Sequence, residues 1–99
     1  MADEKVNVVV RIRTKIGKEE EIKFALQALI APTRKDKGCL SYDFYQSIDD
    51  RTNFISYETW QSRENFISHS ESPYIKAMQD ATEDLLAEPL EINVLAPIS

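Results

Sequence analysis

Asn53-Phe54-Ile55-Ser56-Tyr57-Glu58-Thr59-Trp60-Gln61-Ser62-Arg63-Glu64-Asn65-Phe66-Ile67-Ser68-His69-Ser70-Glu71-Ser72-Pro73-Tyr74 changes period twice, and those changes decide the fold. From Phe54 to Gln61 the side chains follow a period of two, as in a β-strand. Phe54, Ser56, Glu58 and Trp60 fall on one face, and Ile55, Tyr57 and Thr59 on the other. Ser62 then supplies a hydroxyl able to cap a short helix that carries His69. Ser72 followed by Pro73 predicts a second start, with a capping Ser and a proline at the first helical position. The stretch holds the only Trp and the only His of the chain. A strand end and two helix starts in so few residues are a natural lining for a pocket.

Upstream, Leu40 to Ser47 reads as another strand, with Tyr42 and Phe44 on one face and Ser41, Asp43 and Tyr45 on the other. The polar turn Asp49-Asp50-Arg51-Thr52-Asn53 joins it to the strand above as an antiparallel hairpin. Lys18 to about Lys35 is helical, with Ile22, Ala25, Leu26, Leu29 and Ile30 in one apolar stripe. Glu19, Glu20 and Glu21 suit the positive pole of its dipole, and Arg34, Lys35 and Lys37 the negative one, where they form a solvated helix end. Pro32 is expected to kink or loosen the last turns. Val6 to Thr14 is a strand rich in β-branched residues, central and covered on both faces at its start. Downstream, Ile75, Met78, Ala81, Thr82 and Leu85 form the apolar face of a helix that ends before Pro89. Leu90 to Ala96 is a last strand.

The order is therefore β-α-β-β-α-β: an α+β, ferredoxin-like fold with a four-stranded antiparallel sheet, read as one domain over residues 1–99. Both helices cover one sheet face. The other carries Tyr45, Ile55 and Tyr57 and needs a cover, so a homodimer joined through the sheet face is expected.

Composition narrows the function. A net charge of −5 disfavours a nucleic-acid backbone as partner. No apolar run is long enough to cross a bilayer. Met1-Ala2-Asp3-Glu4-Lys5 has no apolar leader, and the single Cys39, read as buried filler, fits a reducing compartment, so a cytoplasmic location is expected. One His and one Cys are too few for a zinc site of those ligands, and two glycines cannot build a phosphate-binding loop. No metal site and no cofactor is expected. Glu58 is read as an ion-pair partner of Arg11 or Arg13 on the neighbouring strand.

Gly-Cys-Leu-Ser-Tyr at 38–42, Asn-Phe-Ile-Ser-Tyr-Glu-Thr-Trp at 53–60, His69 and Ser72-Pro73-Tyr74 together resemble the antibiotic biosynthesis monooxygenase (ABM) family, over nearly the whole span from Val6 to Pro97. The resemblance is closest to the small quinol-monooxygenase-like members. It implies a dimeric α/β-barrel, with a pocket in each subunit between sheet and helices. It also implies oxygenation of a quinol or phenol by O2 without metal or flavin. In members acting on polyketide phenols the pocket uses an Asn, a Trp and a Tyr; here Trp60 matches, while Ser56 and Phe66 stand at the other two positions. The three working positions of the haem-degrading branch hold Val10, His69 and Gln79, none of which matches.

On this reading His69 is the catalytic base, Trp60 and Phe66 pack a small aromatic substrate, and Tyr74 or Ser56 hydrogen-bonds an oxygen. Two alternatives stay open from sequence. One is an isomerase or proton-transfer enzyme acting on a small polar metabolite; the other is a non-catalytic dimeric ligand-binding protein.

Overall fold

The computed structural model describes residues 4–99, so the reading of Met1-Ala2-Asp3 lies outside the described residues. Strands β1 (Val6–Arg13), β2 (Cys39–Gln46), β3 (Asn53–Trp60) and β4 (Glu91–Leu95) form one antiparallel sheet in the order β2-β3-β1-β4. Helices α1 (Glu19–Arg34), α2 (Arg63–Ser70) and α3 (Pro73–Thr82) follow the expected starts, and a short 3₁₀ turn, Glu83–Leu85, extends α3. This is the ferredoxin-like arrangement. Among the described residues no helix is long and apolar enough to cross a membrane.

Register explains which residues meet. Val8 faces Glu58, Val10 faces Ser56 and Ile12 faces Phe54 across β1 and β3, while Tyr42 and Phe44 of β2 face Glu58 and Ser56. All of these point toward the helices. There they join Ile22, Leu26 and Leu29 of α1, Phe66 of α2 and Ile75 of α3 in one core. Each such apolar side chain adds roughly 1.5–3 kcal/mol by leaving water. The alternate residues Tyr45, Ile55, Tyr57 and Leu95 lie on the opposite sheet face and are exposed. Val9 points that way too and is only partly buried, so the start of β1 is covered on one face in the single chain.

The end of α1 is held with care. Pro32 stays inside the helix, and the last turn tightens to three-residue bonds: Lys35 N to Pro32 O at 3.2 Å and Asp36 N to Thr33 O at 3.0 Å. Arg34 reaches β2 with Nη2 on Asp43 at 2.8 Å and Nε on the Tyr42 carbonyl at 3.2 Å. It is thus a strap between helix and sheet, and Asp36 is delivered beneath it.

Gly38 completes this corner at φ +83°, a conformation that favours glycine. A Cβ there would sit 2.3 Å from the Asn65 side chain, which is held by the Ser62 hydroxyl at 2.9 Å. Gly38→Ala is expected to lower stability by about 1–3 kcal/mol from backbone strain, with the clash adding to it. Gly17→Ala is the control, because Gly17 has φ +91° but nothing within 4 Å of a new Cβ. Denaturant midpoints at constant m-value should rank Gly38→Ala as the worse of the two.

Candidate active site

His69 sits in the last turn of α2 and is 5% exposed. Its helix starts where the sequence places it: the Ser62 hydroxyl accepts from Asn65 N at 3.1 Å. Ser72 departs from its expected role. Its hydroxyl does not cap α3 but turns back to donate to the His69 carbonyl at 2.7 Å. Its hydroxyl joins its own backbone N–H on that carbonyl, so this serine closes one helix rather than opening the next. The backbone of His69 is thereby pinned.

The ring is oriented by a carboxylate that stands among solvated charges in the sequence. His69 Nδ1 lies 3.0 Å from Asp36 Oδ2. The same oxygen accepts a short hydrogen bond from the Tyr74 hydroxyl, and Tyr74 in turn contacts the fully buried Thr33 hydroxyl at 3.1 Å. A carboxylate can only accept, so Nδ1 carries the proton toward Asp36, and in the neutral imidazole the lone pair lies on Nε2. Burial and the hydrogen bond to Asp36 push the Tyr74 hydroxyl up to about 12. Its neutral form is the one the fold favours. The resulting stabilisation is complete below the ordinary tyrosine range of about 10 and is lost as pH rises through about 12. Tyr74→Phe is expected to remove that part of the alkaline stability loss. Thermal melts followed across this pH window, with phenolate absorbance recorded alongside, check it.

His69 lines an apolar cavity of about 90 Å³ between sheet and helices. Its walls include Val10, Ile12, Leu26, Tyr42, Phe66 and Ile92, and no Lys or Arg is among its lining residues. Ile92 belongs to the inward row of β4 yet is 48% exposed, which places an open edge of the cavity at this strand. Burial, then the Glu58 carboxylate, raises the Tyr42 hydroxyl well above the ordinary tyrosine range, so Tyr42 is a neutral phenol at working pH.

The remaining expected residues divide. Phe66 and Ser56 line the cavity with His69. Trp60 and Tyr74 are not among its lining residues. Trp60 is 0% exposed, with its ring 4.7 Å from the His69 ring and 6.3 Å from that of Phe66, so it stands behind the wall. Tyr74 directs its hydroxyl to Asp36. Ser56 directs its own to Glu58 Oε2, at 2.7 Å.

Glu58 is the second correction. It is not paired with Arg11 or Arg13. Those residues sit opposite Ile55 and Asn53, in the outward rows, while Glu58 sits opposite Val8 in the inward one. Arg13 instead faces Asp50 at 3.7 Å. Glu58 is 3% exposed and lines the cavity, and its Oε1 accepts from Trp60 Nε1 at 2.9 Å. Strand parity could have found this, since Arg11 and Arg13 share a face that Glu58 does not. Cys39 is partly buried and free. Burial, then the charges of Glu58 and Asp36, raise its thiol pKa. Among the described residues no three His, Cys, Asp or Glu side chains come together as a metal-binding group.

The sheet and helices form a small ferredoxin-like α+β domain with an oriented histidine facing an apolar pocket. The chain belongs to the antibiotic biosynthesis monooxygenase family, whose model matches residues 5–81. It is 34% identical over 93 residues to an uncharacterised protein of Synechocystis, covering 94% of this chain but only 63% of that protein's length. It is 32% identical to the "Putative monooxygenase Rv0793" of Mycobacterium tuberculosis, over 94% of this chain and 91% of the relative. The solved structure of that mycobacterial protein superposes with a TM-score of 0.89 over 97% of both chains. A Pseudomonas aeruginosa protein does so with 0.89 at 26% identity, over 100% of this chain and 98% of the other.

Proposed function

We propose that this protein oxygenates a small, single-ring quinol or phenol with O2, needing no cofactor. The observation that carries the reading is the Asp36–His69 pair, which leaves Nε2 as the available base on an apolar cavity. Removing the phenolic proton turns the ring into an electron donor, and a cavity with little water keeps that anion reactive.

Atoms and electrons balance within one turnover. His69 takes the O–H proton, and the phenolate passes one electron to O2. The ring radical and superoxide join at a ring carbon next to the oxygenated one. His69 returns its proton to the new peroxide. It then takes the proton of that carbon as the O–O bond breaks, forming a carbonyl and hydroxide. Hydroxide leaves with the proton as water. One oxygen atom of O2 stays in the quinone product and one leaves.

Cavity size supports a small substrate. About 90 Å³ is below the roughly 150 Å³ of an engineered cavity that holds benzene, so one ring must already use the open edge at Ile92. A phosphorylated metabolite is disfavoured, since no Lys or Arg side chain lines the cavity.

A second copy is proposed to cover the outer sheet face, where Tyr45, Ile55, Tyr57 and Leu95 are exposed together. Sedimentation at twice the 11.4 kDa chain mass checks this. The free Cys39 supports a reducing compartment such as the cytoplasm.

The activity is tested by oxygen uptake with metal-stripped protein and a panel of single-ring quinols and phenols. Uptake above autoxidation is expected for at least one quinol. Uptake that appears only when a metal or flavin is added would contradict the cofactor-free reading.

A further inference from the structure

We propose that Glu58 is the second substrate-binding group of the cavity, accepting a hydrogen bond from a second hydroxyl, so that the site selects dihydroxyarenes of the hydroquinone class over monophenols. This rests on the oxygenase reading above and narrows its substrate.

Glu58 is 3% exposed and shares the cavity lining with His69, and no Lys or Arg lines that cavity. A buried carboxylate is costly unless donors surround it. Here there are two: Ser56 Oγ on Oε2 at 2.7 Å and Trp60 Nε1 on Oε1 at 2.9 Å. A carboxylate offers about four lone-pair sites, so two donors leave acceptor capacity unused. Both donors are themselves buried, Ser56 at 1% and Trp60 at 0% exposure, which fixes the carboxylate at the wall.

His69, on the same cavity, has the same sense. With Nδ1 directed to Asp36, His69 offers Nε2 as an acceptor. The indole of Trp60 links the two, bonded to Glu58 at Nε1 and lying 4.7 Å, ring to ring, from His69. Two acceptors on different elements, β3 and α2, share a cavity with otherwise mostly apolar walls. The complementary ligand carries two O–H donors on an apolar ring. A hydroxyl donating to Glu58 also gains electron density at its oxygen, which makes the ring easier to oxidise. Glu58 thereby binds the substrate and assists the electron transfer that His69 starts. Ser56 and Trp60 are positioning residues for it.

Hydroquinone, 4-methoxyphenol and phenol separate the possibilities, since the last two retain one hydroxyl and differ in bulk. Binding is read without oxygen by fluorescence of Trp60, the only Trp of the chain. Turnover is read by oxygen uptake. Wild type is expected to bind hydroquinone about ten- to a hundredfold tighter than either monophenol, the range for a hydrogen bond to a charged group. Glu58→Gln is isosteric and should shrink that preference at least fivefold. Its weakened affinity should be confined to hydroquinone.

A wild-type protein with no preference between hydroquinone and phenol overturns the proposal, whether or not the variant folds. So does an unchanged preference in folded Glu58→Gln. If the preference disappears in the variant but no ligand consumes oxygen, the oxygenase reading fails while Glu58 stands as the anchor. If oxygen is consumed and the preference is unaltered in the variant, the oxygenase reading stands and Glu58 is not the anchor.

Discussion

His69→Gln is expected to lower the quinol-dependent oxygen uptake about a hundred- to ten-thousandfold, the range for a positioned general base. Glutamine keeps the length and polarity of the side chain but has no lone pair basic enough to take a phenolic proton. The loss should fall on kcat rather than KM, because the base acts on the substrate after it is bound. The protein should stay folded, since Asp36, which keeps Tyr74 as a donor, is only partly buried. Raising the pH should rescue part of the rate in the variant, because a substrate ionised in solution no longer needs the base. A variant retaining wild-type kcat on every accepted quinol would remove His69 from the mechanism while leaving the enzyme intact.

Trp60→Ala is the substitution with the largest expected effect on stability, a loss of about 3–5 kcal/mol. The indole is fully buried at the end of β3, against the rings of His69 and Phe66, and its removal opens a hole in the core. The change also deletes the Nε1–H donor of Glu58. A buried carboxylate oxygen is then left without its partner, which adds roughly 1–3 kcal/mol. Trp60→Phe separates the two effects, since it keeps much of the aromatic bulk and loses the donor. Urea unfolding of the three proteins should order them wild type, Trp60→Phe, Trp60→Ala. Equal stability of the two variants would mean that the hydrogen bond to Glu58 carries the whole effect.

The fold is legible in the sequence because the period changes are sharp. Alternation from Phe54 to Trp60, the serine before Arg63 and the proline at 73 each have a single local reading. Parity also places Phe54, Ser56, Glu58 and Trp60 on one face correctly. Extended across to β1, the same parity puts Arg11 and Arg13 on the side of the sheet opposite Glu58, which is why the expected ion pair does not form. Asp36 is not legible. It lies between Lys35 and Lys37, in a turn whose path depends on Pro32, Gly38 and the Arg34 strap, and nothing local aims it at a histidine 33 residues away. Ser72 defeats a local reading for a related reason. Ser-Pro marks a helix start, but whether the hydroxyl turns forward or back depends on the helix that ends just before it.

Trp60 and Tyr74 show a further limit. Both come close to His69, as their place in the stretch suggests, yet neither lines the cavity, and their polar atoms bond to Glu58 and Asp36. Aromatic residues near a candidate base are readily taken for substrate contacts, and only packing separates wall from support.

One atom of O2 is proposed to enter a ring held against His69, and mass spectrometry of the product formed under oxygen-18 gas tests this most directly. One heavy oxygen atom is expected in each quinone molecule, with the other in water and no accumulation of hydrogen peroxide. A product without label, formed with an equivalent of hydrogen peroxide, would make the protein an oxidase and contradict the proposed oxygenation.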